Sequence, residues 1–224
     1  MGESLLPCVE VGAGEHAECA VLLLHGLGAD GHDLAPIVPY LELDPALAVR
    51  FVLPHAPQIP VTINGGMRMP AWYDITSGDL RTRHDLEGLQ RSAAQVRALI
   101  EREHARGIAP EKLVLAGFSQ GGAVALHVGL RQAQRMAGIV ALSTYLLDGD
   151  ALQQELDAGA KDTPIFMAHG DHDEVVQPAR GRAARDQLRA LGLAPSWHSF
   201  PMGHEICLEQ LELLGTWLGS ALAG

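Results

Sequence analysis

The stretch that most constrains this chain is Leu113-Val114-Leu115-Ala116-Gly117-Phe118-Ser119-Gln120-Gly121-Gly122. An apolar run of strand formers ends on a serine held between two glycines. Small and apolar residues of helical length follow over 123–130. Strand, sharp turn and helix in that order fit Gly-x-Ser-x-Gly, a turn that lifts a serine hydroxyl above the end of a sheet. A side chain at Gly117 or Gly121 would strike the neighbouring strand or helix. The free N–H groups of the helix N-terminus then lie just behind Ser119. Taken alone, the pattern also describes a glycine-rich turn with an incidental serine, so the rest of the chain has to decide.

The flanking segments predict the sheet that such a turn needs. A short edge strand is expected over 5–11, a buried one over Cys19–Leu24, and others over 50–53, Gly138–Leu142, 164–168 and 197–200. Helices are expected over 33–43, 84–106, 177–191 and from Glu205 onward. In 84–106 the apolar Leu86, Leu89, Ala93, Val96 and Ile100 recur at three- and four-residue steps. The helix at 177–191 is expected to turn Ala179, Ala183, Leu188 and Leu191 inward, and the last helix Cys207, Leu211, Leu214, Leu218 and Ala221. Alternating strands and helices predict an α/β fold, a mostly parallel sheet with helices on both faces. In such sheets catalytic groups collect at the carboxyl ends of the strands. Ser119, Asp173 and His204 all fall there.

A serine hydroxyl is a weak nucleophile until a base takes its proton and a third group orients the base. The chain order Ser, Asp, His is that of the α/β-hydrolases. Asp171 and Asp173 both follow the 164–168 strand; the reading gives Asp171 a turn-pinning job and Asp173 the acid's place beside His204. His169, Asp171, His172 and Asp173 also crowd together as metal ligands do. No matching second cluster exists, so no metal is expected. Gly26-x-Gly28-x-x-Gly31 matches the dinucleotide fingerprint, but the acid expected about 20 residues on is missing from 46–50. The preferred reading has this loop lend the Leu27 N–H to an oxyanion hole, with the Gln120 N–H as the second donor.

The segment 57–74 holds the turn signal Asn64-Gly65-Gly66 among apolar residues. It is expected either to pack on the core or to cover a substrate groove formed by Met67, Met69, Trp72, Tyr73, Tyr145 and Val175. With 27 acidic against 16 basic residues and a net charge of −11, nucleic acid and anionic membrane surfaces are poor partners. No run approaches the ~18 apolar residues of a spanning helix. Residues 1–6 lack the features of a signal peptide, and Leu6 breaks a myristoylation pattern. Cys8, Cys19 and Cys207 read as reduced thiols, which predicts a cytoplasmic protein. The 224 residues are expected to form a single domain over 1–224.

His25-Gly26-Leu27-Gly28-Ala29-Asp30, Gly117-Phe118-Ser119-Gln120-Gly121-Gly122, His169-Gly170-Asp171-His172-Asp173 and Gly203-His204-Glu205 together resemble the carboxylesterase/acyl-protein thioesterase family. So do 61–64, 69–75 and 141–145, and the likeness runs over about 21–218. It is nearest to the bacterial carboxylesterase branch. The resemblance implies a compact α/β-hydrolase without a large cap domain, with the triad Ser119, Asp173 and His204 and no cofactor. It implies a small-molecule ester or thioester of short to medium acyl chain as substrate, and a homodimer, since relatives pair. Two segments depart from the family: 77–84 is more polar than expected, and 148–162 is strongly acidic. The competing readings are a non-catalytic binding protein on a hydrolase scaffold, a dinucleotide-dependent reductase, and a dienelactone-type hydrolase, which would carry cysteine at position 119.

Overall fold

The apolar segments assemble into one seven-stranded sheet in the computed structural model, which describes residues 5–76 and 85–224. Three strands come first: β1 (Cys8–Gly12), β2 (Cys19–Leu24) and β3 (Val49–Pro54). A separate hairpin of β4 (Gln58–Val61) and β5 (Met67–Pro70) follows. The sheet resumes with β6 (Leu113–Phe118), β7 (Gly138–Leu142), β8 (Ile165–Gly170) and β9 (Ser196–Phe200). Its order is β1-β3-β2-β6-β7-β8-β9. β1 pairs antiparallel with β3, and every other pairing is parallel. The helices are α1 (Gly31–Leu34), α2 (Leu86–Ala105), α3 (Gln120–Gly129), α4 (Gly149–Glu155), α5 (Ala158–Asp162), α6 (Pro178–Ala190) and α7 (Leu208–Ala223).

β2 shows why both faces must be covered. All six of its residues are buried. Ala20, Leu22 and Leu24 point into a core with Leu89, Ala93 and Val96 of α2 and Ala123 and Val124 of α3. Val21 and Leu23 point the other way, against Leu34 of α1 and Leu211, Leu214 and Leu218 of α7. Each such leucine or valine contributes about 1.5–3 kcal/mol by leaving water. A third core joins Leu126 of α3, Leu152 of α4 and Leu188 of α6 to Ile139 and Met167 of the sheet.

Several expected elements differ in detail. The helix expected over 33–43 is a single turn, α1, followed by a tighter 3-10 helix over Ala35–Leu41. Pro36 and Pro39 remove the N–H donors that an α-helix would use there. Asp30 caps α1, and Asp33 closes the reciprocal capping box. α2 begins at Leu86 under an Asp85 cap, and α7 at Leu208 rather than Glu205. α6 buries Gly181, Ala184 and Leu188, whereas Ala179 and Ala183 face solvent. The readings made on Met1–Ser4 and on 77–84 lie outside the described residues.

An arginine–glutamate ion pair sits inside the fold. Arg50 of β3 reaches Glu103 of α2 at 2.6 Å, and both are fully buried. Arg102 and Arg106 hold the other Glu103 oxygen at 2.8 and 3.1 Å. Arg50 also donates to the Gly14 carbonyl. The pair pins α2 to β3 from within.

Candidate active site

Ser119 sits between β6 and α3 with φ 55° and ψ −120°. A non-glycine residue held there carries about 1–3 kcal/mol of strain, so its surroundings must over-determine it. Three hydrogen bonds do so. Ser119 N–H donates to the Leu142 carbonyl at 2.9 Å, and the Ser119 carbonyl accepts from Thr144 Oγ1 at 2.6 Å and Ala123 N at 3.2 Å. A Cβ at Gly117 would overlap the Gly121 backbone, and one at Gly121 would overlap the Leu24 and His25 carbonyls. α3 starts at Gln120, three residues before the expected 123, because this packing demands glycine whatever its helix propensity.

His204, in the turn between β9 and α7, places Nε2 at 2.9 Å from Ser119 Oγ. Its Nδ1 lies 2.7 Å from Asp173 Oδ2. A carboxylate only accepts, so Nδ1 carries the proton and Nε2 is left to accept from the serine. The Phe118 ring backs the imidazole, with centroids 4.8 Å apart. Asp173 is buried, and its Oδ1 accepts from Val175 N at 2.9 Å and Val176 N at 2.8 Å. Asp171 is exposed and meets Phe200 only through its main chain. The turn-pinning expected of Asp171 therefore falls to Asp173 itself.

His169 is also buried. Its Nε2 donates to the Val176 carbonyl at 2.8 Å and lies 3.4 Å from Asp173 Oδ2. Burial lowers its pKa and keeps the ring neutral. His172 faces solvent, and among the described residues no group of three metal-ligating side chains converges.

The loop after β2 closes on the serine. A Cβ on Gly26 would lie 3.3 Å from Ser119 Cβ. Among the described residues neither Leu27 N–H nor Gln120 N–H donates elsewhere. Gly28, at φ +78°, donates its N–H to Pro70 O at 2.9 Å. Gly31 of the dinucleotide-like pattern opens only the four-residue α1. That is too short to present a pyrophosphate site.

Beside Ser119 and His204 lies a cavity of about 460 Å³, lined by Leu27, Ile37, Val175 and Ile206, with Asp33 and Glu205 contributing acids. Of the expected groove residues, Val175 lines it. Met67 is exposed on the hairpin, and Met69 is half-buried beside Asn64. Trp72, Tyr73 and Tyr145 are only 1%, 1% and 5% exposed and do not line it. They pack in the core instead, because their polar ends find buried partners: indole Nε1 to His25 O at 2.8 Å, and the two phenols to each other at 2.7 Å. The acidic stretch 148–162 does not line it either.

The family model described as Phospholipase/Carboxylesterase matches residues 6–221. The chain belongs to this family. Acyl-protein thioesterase 1 of Neurospora crassa is 42% identical over 211 residues, covering 90% of this chain and 86% of that protein. The crystal structure of Arabidopsis thaliana SOBER1 matches with a TM-score of 0.86 at 29% identity, over 92% of this chain and 100% of that one. Acyl-protein thioesterase 2 of Zea mays matches with a TM-score of 0.85 at 26% identity, over 96% and 99%. The chain is accordingly an α/β-hydrolase-fold protein and a hydrolase of carboxylic esters or thioesters.

Within this phospholipase/carboxylesterase site, sequence reasoning passed over four supporting side chains. Thr144 holds the Ser119 carbonyl, and Ser92 donates to the Trp72 carbonyl. His169 braces the Asp173 loop. The His25 ring accepts from Ala56 N at 3.0 Å and donates to Gly26 O at 2.7 Å. The available signal was a histidine or hydroxyl at the end of a wholly apolar strand, as at His25 and His169, where only a satisfied polar group is tolerated.

Proposed function

We propose that this chain is a serine hydrolase that cleaves esters or thioesters of short to medium acyl chains through an acyl-enzyme. The observation that carries the reading is the continuous line from Asp173 Oδ2 through His204 to Ser119 Oγ, with links of 2.7 and 2.9 Å. His204 Nε2 takes the serine proton as Oγ attacks the acyl carbon. Asp173 holds the ring in the Nδ1–H tautomer and stabilises the imidazolium. The Leu27 and Gln120 N–H groups receive the oxyanion. His204 then protonates the leaving alcohol or thiol, and water repeats the sequence to release the acid. No cofactor enters any step.

The apolar lining of the cavity supports an acyl chain, and its size lies within the usual ~300–1,000 Å³ of small-molecule sites. Hydrolysis of p-nitrophenyl esters from two to sixteen carbons tests the reading, with phenylmethanesulfonyl fluoride as inhibitor. Fast, inhibitable turnover of short chains, lost in Ser119→Ala with folding retained, is expected. An equally active Ser119→Ala variant would sink the mechanism.

The identity to proteins named acyl-protein thioesterase 1, 42% and 38% in two fungi, favours a second reading in which the acyl group is borne on a protein thiol. Faster turnover of an S-acylated peptide than of the matching oxyester would select it. Pairing of two copies and a cytoplasmic location belong to the same proposal through the family; no helix among the described residues is long and apolar enough to cross a membrane.

A further inference from the structure

We propose that Trp72 is a positioning residue that sets both halves of the oxyanion hole, acting through Gln120 and His25. This rests on the reading of Leu27 and Gln120 as the oxyanion donors. Trp72 follows β5 and is almost wholly buried. Its main-chain N–H donates to Gln120 Oε1 at 2.9 Å, and Gln120 Nε2 donates to the Tyr73 carbonyl at 2.7 Å. The Gln120 amide thus grips this segment through two bonds, and Gln120 is the first residue of α3. The indole of Trp72 reaches the other side of the site, donating to His25 O at 2.8 Å. His25 stands two residues before Leu27, and Gly28, one residue after it, is held by Pro70 O at 2.9 Å.

The 70–73 segment therefore fixes the loop on either side of the Leu27 N–H and fixes the residue that carries the second N–H. Ser92 of α2 secures the Trp72 carbonyl in turn. The His25 ring is no free player: burial lowers its pKa, and both nitrogens are spent on main-chain partners. Oxyanion donors act only when aimed at the developing charge, and a misplacement of about 1 Å costs on the order of a hundredfold in rate. A bond that serves aim rather than packing should appear in kcat and leave KM alone.

Two variants test this. Trp72→Phe removes the indole N–H and keeps a ring in the core. Gln120→Met removes the side-chain amide and keeps the main-chain N–H. On p-nitrophenyl butyrate each is expected to lose about ten- to a hundredfold in kcat with KM within a factor of about three. Affinity for a trifluoromethyl ketone, whose adduct carries the oxyanion, should weaken in step with kcat. If Trp72→Phe fails to fold, Gln120→Met decides alone. Unchanged kcat in the folded variants would overturn the proposal, as would a lowered kcat with unchanged ketone affinity. Ser119→Ala separates the two levels. If it is inactive while Trp72→Phe and Gln120→Met are fully active, only the positioning role falls; if it is fully active, the serine mechanism falls and the positioning role with it.

Discussion

Asp173→Asn changes one atom and should nearly stop turnover. Asp173 Oδ1 accepts from Val175 N and Val176 N at 2.9 and 2.8 Å, and Oδ2 faces His204 Nδ1 at 2.7 Å. An asparagine has to choose which of these keeps its oxygen. Turning NH2 toward the loop would leave two main-chain N–H groups in a buried place without an acceptor, at about 1–3 kcal/mol each. The oxygen therefore stays on the loop and NH2 faces His204. His204 Nδ1 must then accept, its proton moves to Nε2, and Nε2 can no longer take the serine proton. The same tautomer switch in a serine-protease triad lowers kcat by about 10⁴, equivalent to about 5 kcal/mol. The loop's bonds survive, so the melting temperature should hold within a few degrees. Steady-state hydrolysis of p-nitrophenyl butyrate, alongside a thermal melt, reads both. Activity within tenfold of the unaltered chain would refute the assignment of Asp173 as the group that sets the His204 tautomer.

Other expectations follow from the packing. Glu103→Gln leaves the buried Arg50 cation without its counter-charge and should cost about 3–5 kcal/mol in urea unfolding, with activity per folded molecule unchanged. Gly121→Ala drives a methyl group into the Leu24 and His25 carbonyls; it should cost at least about 1–3 kcal/mol and, by shifting the Leu27 loop, most of the turnover. His127 is buried beside Arg131 and Arg97, and its pKa is lowered to about 4, mainly by burial. The unfolded chain binds this proton at higher pH than the native one, so stability present above pH 6.5 is lost as pH falls toward 4. That loss reaches about 3 kcal/mol. As pH falls through this window the melting temperature of the unaltered chain should drop relative to that of His127→Leu, which has no proton to take up, and parallel curves would dispose of the argument.

The elbow, the alternation of strands and helices, and the order of Ser119, Asp173 and His204 were readable because local chemistry sets them. Only glycine fits at Gly121 against the Leu24 and His25 carbonyls, and a wholly apolar run such as Cys19–Leu24 suits burial on both faces. Pro36 and Pro39 broke up the helix expected over 33–43, while the hydrogen-bond geometry that replaced it depended on the Asp30 cap. The division of labour between Asp171 and Asp173 was readable only in part, since either acid could pin the turn until the main chain of Val175 and Val176 was in place.

The sequence by itself determined the sheet, the turn and the chemical types at its carboxyl edge, because periodicity and glycine spacing act over a few residues. The tertiary structure alone decided what Trp72, Tyr73 and Tyr145 do. An apolar ring with one polar end suits a substrate wall and a core equally well. The choice depends on whether that end meets a partner inside the fold, and for the Trp72 indole the partner is the His25 carbonyl, 47 residues away along the chain. Arg50 and Glu103, 53 residues apart, make the same point: each looks like a surface charge until the other arrives beside it in a place without water.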